Sequence, residues 1–161
     1  MKEKHIQYHE GQWFAVPLRQ GGYALGIIVR GSYKTKGGLG YFFGPKYEDV
    51  PGDKATWEKH PGEALLIARF GDLGIIRGSW PLIQSTRPFS KEKWPIPKFG
   101  TEVPFPPGKG FIRDYEQASS GELICIRQTL VDADDLQGFP EDVDMGGGSV
   151  EIKLTKLLDD H

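Results

Sequence analysis

Apolar side chains near the start of the chain form two runs of period two on either side of a glycine pair. In residues 13–18, Phe14, Val16 and Leu18 occupy alternate positions, and residues 23–29 are largely apolar at both sets of alternate positions. Period-two runs predict β-strands, and Gly21–Gly22 permits the positive φ angles of a tight hairpin turn. A strand with two apolar faces is buried on both sides or curls into a barrel, and Gly26 within it indicates a bend or a close backbone approach.

The same criteria predict strands along most of the remaining chain. Residues 51–62, PGDKATWEKHPG, are bounded by turn residues and predict a loop with room for one helical turn. The last residues, TKLLDDH, predict a final helical turn. GDLG at 71–74 predicts another hairpin turn, and no long stretch has a helical apolar period. The further predicted strands are residues 39–44, 63–71, 73–83, 110–116, 121–131 and 149–154. Residues 1–161 are therefore expected to form one all-β domain, a small β-barrel or curled antiparallel sheet with little helix.

Residues 85–110 form a long proline-rich stretch between predicted strands. They hold six of the twelve prolines in the chain. Because proline cannot donate to a strand ladder, the stretch is expected to be an extended surface loop. Trp94, Phe99 and Phe105 are expected to pin this loop to the sheet.

Composition narrows the class of protein. A chain of 161 residues with 38% hydrophobic and 26% charged residues is typical of one globular domain. No apolar run has the length of a membrane span, and the first residues do not have the pattern of a signal peptide. We therefore expect a cytoplasmic protein with no membrane partner. The single cysteine excludes an internal disulfide. Cys125 lies in the apolar run LICIRQ and is expected to be a buried thiol.

Motifs for nucleotide, metal or hydrolytic chemistry are absent from the sequence. No P-loop occurs, and in GLGYFF, the nearest string to a dinucleotide fingerprint, Phe43 stands where the last glycine belongs. No G-x-S-x-G nucleophile elbow is present. The four histidines, His5, His9, His60 and His161, are scattered, and the HIQYH spacing lacks the glutamate of H-E-x-x-H. The sequence thus predicts no cofactor, no bound metal and no catalytic residue.

Charge is unevenly distributed along the chain. Residues 1–130 carry 18 basic and 13 acidic side chains, net +5, whereas residues 131–161 carry 2 basic and 9 acidic side chains, net −7. The overall charge of −2 argues against a nucleic-acid partner. The C-terminal excess predicts either a solvated acidic loop or a patch that binds a basic protein. The predicted partner-binding residues are Asp132, Asp134, Asp135, Glu141, Asp142 and Asp144.

The same run partly matches a calcium-binding loop. Asp132, Asp134 and Gly138 approach the EF-hand spacing, but the glycine falls one place late and Val143 stands where the twelfth-position glutamate belongs. Calcium binding by these carboxylates is left open.

Tryptophans supply the remaining candidates. Core packing is the expected role of most of Trp13, Trp57, Trp80 and Trp94, and an aromatic pocket or interface anchor is the alternative. Trp80 follows an apolar run and precedes Pro81, which predicts a ring buried in the core.

Three stretches together resemble the immunity protein 26 family. Residues 10–30, EGQWFAVPLRQGGYALGIIVR, match its opening pattern, and IIRGSWPLI at 75–83 is similar to its central Gly-x-Trp-Pro segment. GGGSVEIKLTKLL at 146–158 is similar to its C-terminal pattern. The resemblance implies a mostly-β fold and a bacterial protein that protects against polymorphic toxins by binding them. A relative in the same grouping is described as a phosphotriesterase, and no catalytic residue is carried over.

The leading hypothesis is therefore a non-enzymatic immunity-type protein that occludes a cognate toxin. Acidic side chains can mimic the phosphates that a nuclease toxin binds, and they can steer a basic partner to its docked position. The alternatives are a phosphotriesterase-like hydrolase, which needs a metal or strong base, and a β-barrel that binds a small ligand in an aromatic pocket.

Overall fold

The computed structural model describes residues 6–159, which form a mostly-β structure with two separate sheets. Helices are α1 (Asp53–Trp57), α2 (Leu73–Ile76) and α3 (Gly147–Asp159), and 3₁₀ turns cover Pro61–Glu63, Lys91–Lys93 and Ala133–Leu136. The strands are β1 (Trp13–Pro17), β2 (Tyr23–Ser32), β3 (Gly37–Tyr47), β4 (Leu66–Gly71), β5 (Leu82–Ile83), β6 (Phe99–Glu102), β7 (Lys109–Gln117), β8 (Leu123–Asp132) and β9 (Asp144–Met145).

The glycine-rich stretch near the start is the predicted hairpin. β1 and β2 pair antiparallel, with Pro17 opposite Tyr23, and the Leu18 N–H donates to the Gly22 carbonyl oxygen at 2.9 Å. Gly21 and Gly22 have φ angles of 96° and 81°, a region that favours glycine. These glycines reverse the chain direction.

The main sheet has the strand order β5-β1-β2-β3-β4-β9 and is buried on both faces. Its central strand β2 is buried from Ala24 to Gly31, as the two apolar faces of its sequence predicted. Gly26 is a point of close approach, since a Cβ there would lie 2.6 Å from Cε2 of Phe14 on the neighbouring strand.

One face of the main sheet packs against α2 and α3. The Trp80 ring stacks on both Phe14 and Phe70 here, with ring centres 5.7 Å and 5.9 Å apart, and the two phenylalanine rings are tilted by 37° relative to each other. The fully buried Trp80 confirms the prediction of a core ring, and its indole N–H donates to Glu151 of α3 at 2.8 Å. Val150 of α3 is buried in the same hydrophobic cluster as these three rings.

The other face packs against the proline-rich stretch and part of the second sheet. Trp94 and Phe99 are buried here and pin this stretch to the main sheet, as predicted. Phe105 is 84% exposed, so its predicted anchoring role is wrong. Trp13 is buried beside Trp94, whereas Trp57 on α1 is half exposed.

Among the described residues, the second sheet consists of β6, β7 and β8, and the two open sheets do not close into a barrel. The mostly-β prediction is confirmed, but the barrel is not.

Two predicted strands are helices. Residues 73–83, predicted as one strand, begin with α2 after Asp72 and contribute only Leu82–Ile83 to the sheet, so GDLG is not a hairpin turn. Residues 149–154 lie in the 13-residue helix α3. In α3, the residues that pack on the main sheet have the helical spacing i, i+4, i+8: Val150, Leu154 and Leu158. This spacing extends beyond residues 149–154, so that short stretch alone does not reveal it.

Candidate functional site

The predicted acidic residues lie in one segment, residues 132–144, that follows the last strand of the second sheet. A 3₁₀ turn at Ala133–Leu136 begins the segment and places Leu136 against β6 and β7. A Cβ at Gly110 would lie 2.5 Å from Leu136 Cδ1, so glycine at that position makes room for the leucine side chain. The turn is thereby fixed to the second sheet while its carboxylates face outward.

The rest of the segment joins the two sheets. Gly100 of β6 donates its N–H to the Pro140 carbonyl oxygen, and the Asp142 N–H donates to the Gly100 carbonyl oxygen, each at 2.9 Å. Two residues later β9 pairs in parallel with β4, with Asp144 opposite Arg69. Backbone hydrogen bonds therefore hold this segment to both sheets.

Asp142 lies at this junction with a carboxylate that is fully buried. Arg69 donates to its Oδ1 at 2.7 Å, and Arg113 and the Tyr115 hydroxyl donate to its Oδ2 at 2.9 Å and 2.7 Å. The Arg69 guanidinium also lies 5.2 Å from the centre of the Tyr115 ring. One carboxylate thus links β4 of the main sheet to β7 of the second sheet.

The surroundings of Asp142 favour its charged form. Burial by itself raises the pKa of Asp142, but hydrogen bonds from Tyr115, Arg113 and Arg69 outweigh burial and hold that pKa below its ordinary value. The same carboxylate raises the pKa of Arg113 through its hydrogen bond. Desolvation, followed by the hydrogen bond to Asp142, raises the pKa of Tyr115. At neutral pH the group is an ionised carboxylate between two guanidinium groups.

Exposure separates the six predicted partner-binding residues into two groups. Asp142 is 7% exposed and its oxygens are occupied by internal donors, so it is not available to a partner and its predicted role is corrected to a structural one. Asp132 is exposed and forms an ion pair with Lys109. The remaining exposed members of the set are Asp134, Asp135, Glu141 and Asp144.

Arg69, Arg113 and Tyr115 were missed by the sequence analysis. A weak signal for them exists, because Arg69 interrupts the apolar run LIARFG, and Arg113 and Tyr115 are two residues apart, on one face of a strand. Nothing in the sequence indicates that they share Asp142 as a partner.

A second exposed surface lies beside the acidic segment, on strand β8. Its large apolar side chains are unusually accessible, with Ile124 48%, Ile126 55% and Leu130 51% exposed. Cys125 is exposed too, which corrects the predicted buried thiol. Within residues 6–159, β8 borders only β7, and neither of its faces is covered along most of its length, so its apolar side chains are in contact with solvent.

Among residues 6–159, no group of three or more His, Cys, Asp or Glu side chains is arranged to hold a metal ion. His9 packs edge-on against Tyr33, and His60 lies 4.0 Å from Glu63. His5 and His161 fall outside the described residues. None of the described helices is long and apolar enough to span a membrane.

Comparison with known proteins identifies a family but no individual relative. No curated protein and no solved structure matches the chain. The family model of immunity protein 26 matches residues 9–109, more than half of the chain. The matched region holds β1 to β5 of the main sheet and β6, with nearly all of the proline-rich stretch, whereas β8, the acidic segment and β9 lie beyond it. The chain belongs to the immunity protein 26 family.

Proposed function

We propose that this chain is an immunity protein that binds and neutralises a cognate bacterial toxin by covering its active site. Membership of the immunity protein 26 family is the observation that carries this proposal. The family name supports a role in a toxin system, and a toxin is the partner that an immunity protein requires. The surface that makes the contact must be argued from the described residues.

We assign the contact to the exposed carboxylates of residues 132–144 together with β8. The segment supplies five exposed acidic side chains, and β8, which leads into it, supplies three half-exposed aliphatic ones distributed over the two faces of the strand. Protein interfaces commonly combine an apolar centre with a polar rim. A surface with this composition fits a protein partner.

The sign of the charge favours a basic toxin. Residues 131–161 carry a net charge of −7, and only Asp132 among the five exposed carboxylates of the segment is in an ion pair within the described residues. Such a patch attracts a positively charged surface and raises the association rate by about 10- to 1000-fold at low salt. A nuclease has a basic substrate-binding surface because it binds phosphates, and carboxylates can occupy that surface in place of the substrate.

The test measures how the wild type and charge-neutralised variants bind a candidate toxin domain, taken from a gene that lies beside the gene of this chain. Asp134→Asn, Asp135→Asn and Glu141→Gln, combined in one protein, remove three exposed charges without touching Asp142. We expect this triple variant to associate at least about tenfold more slowly in surface plasmon resonance at low salt, with an unchanged melting temperature. Raising the salt concentration should slow the wild type in the same way, because salt screens exposed charges within about 10 Å at 0.1 M.

A matched control removes the same number of exposed charges elsewhere. The control protein combines Glu48→Gln, Asp49→Asn and Glu58→Gln. These three residues are exposed and lie before and after α1, outside the acidic segment. Equal slowing by both triple variants would mean that only net charge matters and would remove the acidic segment from the interface. Failure of the wild type to bind the toxin, or to protect cells that express it, would refute the immunity proposal itself.

A further inference from the structure

We propose that the outer edge of β8 receives an extended strand of the toxin, which becomes a fourth strand of the β6-β7-β8 sheet. This inference rests on the proposed function and specifies how the partner is held. β8 is ten residues long, and no residue among 6–159 pairs with its outer edge. An unpaired strand edge presents a row of N–H and C=O groups that another strand can pair with.

Backbone hydrogen bonds at the Lys109–Asp132 end of the β7–β8 pair show which backbone groups of β8 point away from β7. The Ala133 N–H donates to the Gly108 carbonyl oxygen at 2.8 Å, and the Val103 N–H donates to the Lys109 carbonyl oxygen at 3.1 Å. Lys109 therefore directs its backbone groups to β6, and its partner Asp132 directs its own away from β7. Since this direction alternates along a strand, the backbone groups of Leu130 and Gln128 also point to the open side.

The edge is little protected against pairing. Native proteins protect exposed edges with prolines, lysines, bulges or very short strands. Between Leu123 and Val131 the only charged residue is Arg127, and there is no proline. A register shift leaves Ile126 as an extra residue, but residues 127–132 after it pair regularly with β7. These six residues are long enough to accept a partner strand.

Charge at the two ends of β8 distinguishes a toxin strand from a second copy of this chain. Glu122 precedes the strand. Asp132 is its last residue, and Asp134 and Asp135 follow it. Antiparallel pairing of two copies would place Glu122 of one beside the acidic end of the other, and like charges across strands are destabilising. We assign the edge to a toxin segment with alternating apolar residues and with lysine or arginine opposite Asp132.

Amide hydrogen exchange, measured by NMR with and without the toxin domain encoded beside the gene, tests this assignment. The amide hydrogens of Gln128 and Leu130 should exchange rapidly in the free protein and at least about tenfold more slowly in the complex. Those of Thr129 and Val131 point to β7 and serve as an internal control, because the existing ladder already protects them. Protection of alternate residues is a sign of strand pairing that side-chain contact alone would not give.

Two substitutions at one position provide an independent measurement. Gln128→Pro removes an outward N–H while leaving the backbone bonds to β7 in place, and Gln128→Ala keeps that N–H. Both variants lose the side-chain oxygen that accepts from Arg113 of β7, so the comparison between them isolates the backbone N–H. We expect the toxin Kd to rise at least about tenfold for the proline variant and less than about threefold for the alanine variant. Circular dichroism reports whether the proline variant keeps its fold.

The outcomes separate this inference from the function on which it rests. Toxin binding with unchanged exchange at Gln128 and Leu130 would overturn strand addition and leave the immunity function standing. A dimer of this chain that protects the same two amides without toxin would assign the edge to a second copy and overturn the proposal. No binding of toxin at all would overturn both.

Discussion

Replacing Asp142 by asparagine tests whether one buried charge holds the two sheets together. The variant keeps the size of the side chain but removes the negative charge between Arg69 and Arg113. Asparagine offers one neutral amide oxygen as an acceptor in place of the two charged carboxylate oxygens. Breaking a buried ion pair by removing one partner costs about 3–5 kcal/mol. The two arginine side chains remain 26% and 30% exposed, so water partly stabilises their charges after the change. We therefore expect a loss in the free energy of unfolding near about 3 kcal/mol, the lower end of that range.

The pH dependence of this loss has a definite sign. The pKa of Asp142 is lower in the folded protein than in the unfolded chain, where it is about 3.9. Its contribution to stability is therefore fully present above the unfolded pKa and disappears as the pH falls through the folded pKa. The difference in stability between the wild type and Asp142→Asn should be largest at neutral pH and should narrow below about pH 4.

Urea unfolding at pH 7 and pH 3, combined with thermal melts at pH 7, measures these differences. For a chain of this size, about 3 kcal/mol corresponds to a fall of about 6–12 °C in melting temperature. Asp134→Asn is the matched control, since it makes the same chemical change at an exposed site and should alter stability by less than about 0.5 kcal/mol. A loss below about 1 kcal/mol for Asp142→Asn at pH 7 would refute the structural role. An equally large loss at pH 3 would show that packing, rather than charge, is responsible.

Two further substitutions test the main sheet. Trp80→Ala removes a fully buried ring that packs against two phenylalanines, and it should cost about 3–5 kcal/mol in urea unfolding. A variant with the stability of the wild type would contradict the core assignment. Gly26→Ala places a methyl group 2.6 Å from Phe14 and should cost about 1–3 kcal/mol, whereas Gly62→Ala, which meets nothing within 4 Å, should be tolerated. Equal stability of the two alanine variants would show that the sheet relaxes around Gly26.

The hairpin and the main sheet were predictable because their signals are local. Alternation of apolar residues sets which face of a strand is buried, and paired glycines select the turn, so residues 13–32 indicate β1 and β2 without further information. The burial of Trp80 follows in the same way from the apolar run before it. Short apolar segments were less informative, since four to six residues fit a strand and a helix equally well. α2 and the start of α3 were assigned to strands for this reason.

Only the tertiary structure decided which residues of the acidic segment and of β8 face solvent. The six acidic side chains of residues 132–144 look alike in sequence, yet Asp142 alone is buried, because the chain crosses between the sheets at that residue and meets donors from β4 and β7. Cys125 lies in an apolar run of the kind that fills a core, yet it is exposed, because β8 is the edge of a small sheet with little packed against it. A sequence pattern states what a residue can bury, and the long-range packing of other segments determines whether anything covers it.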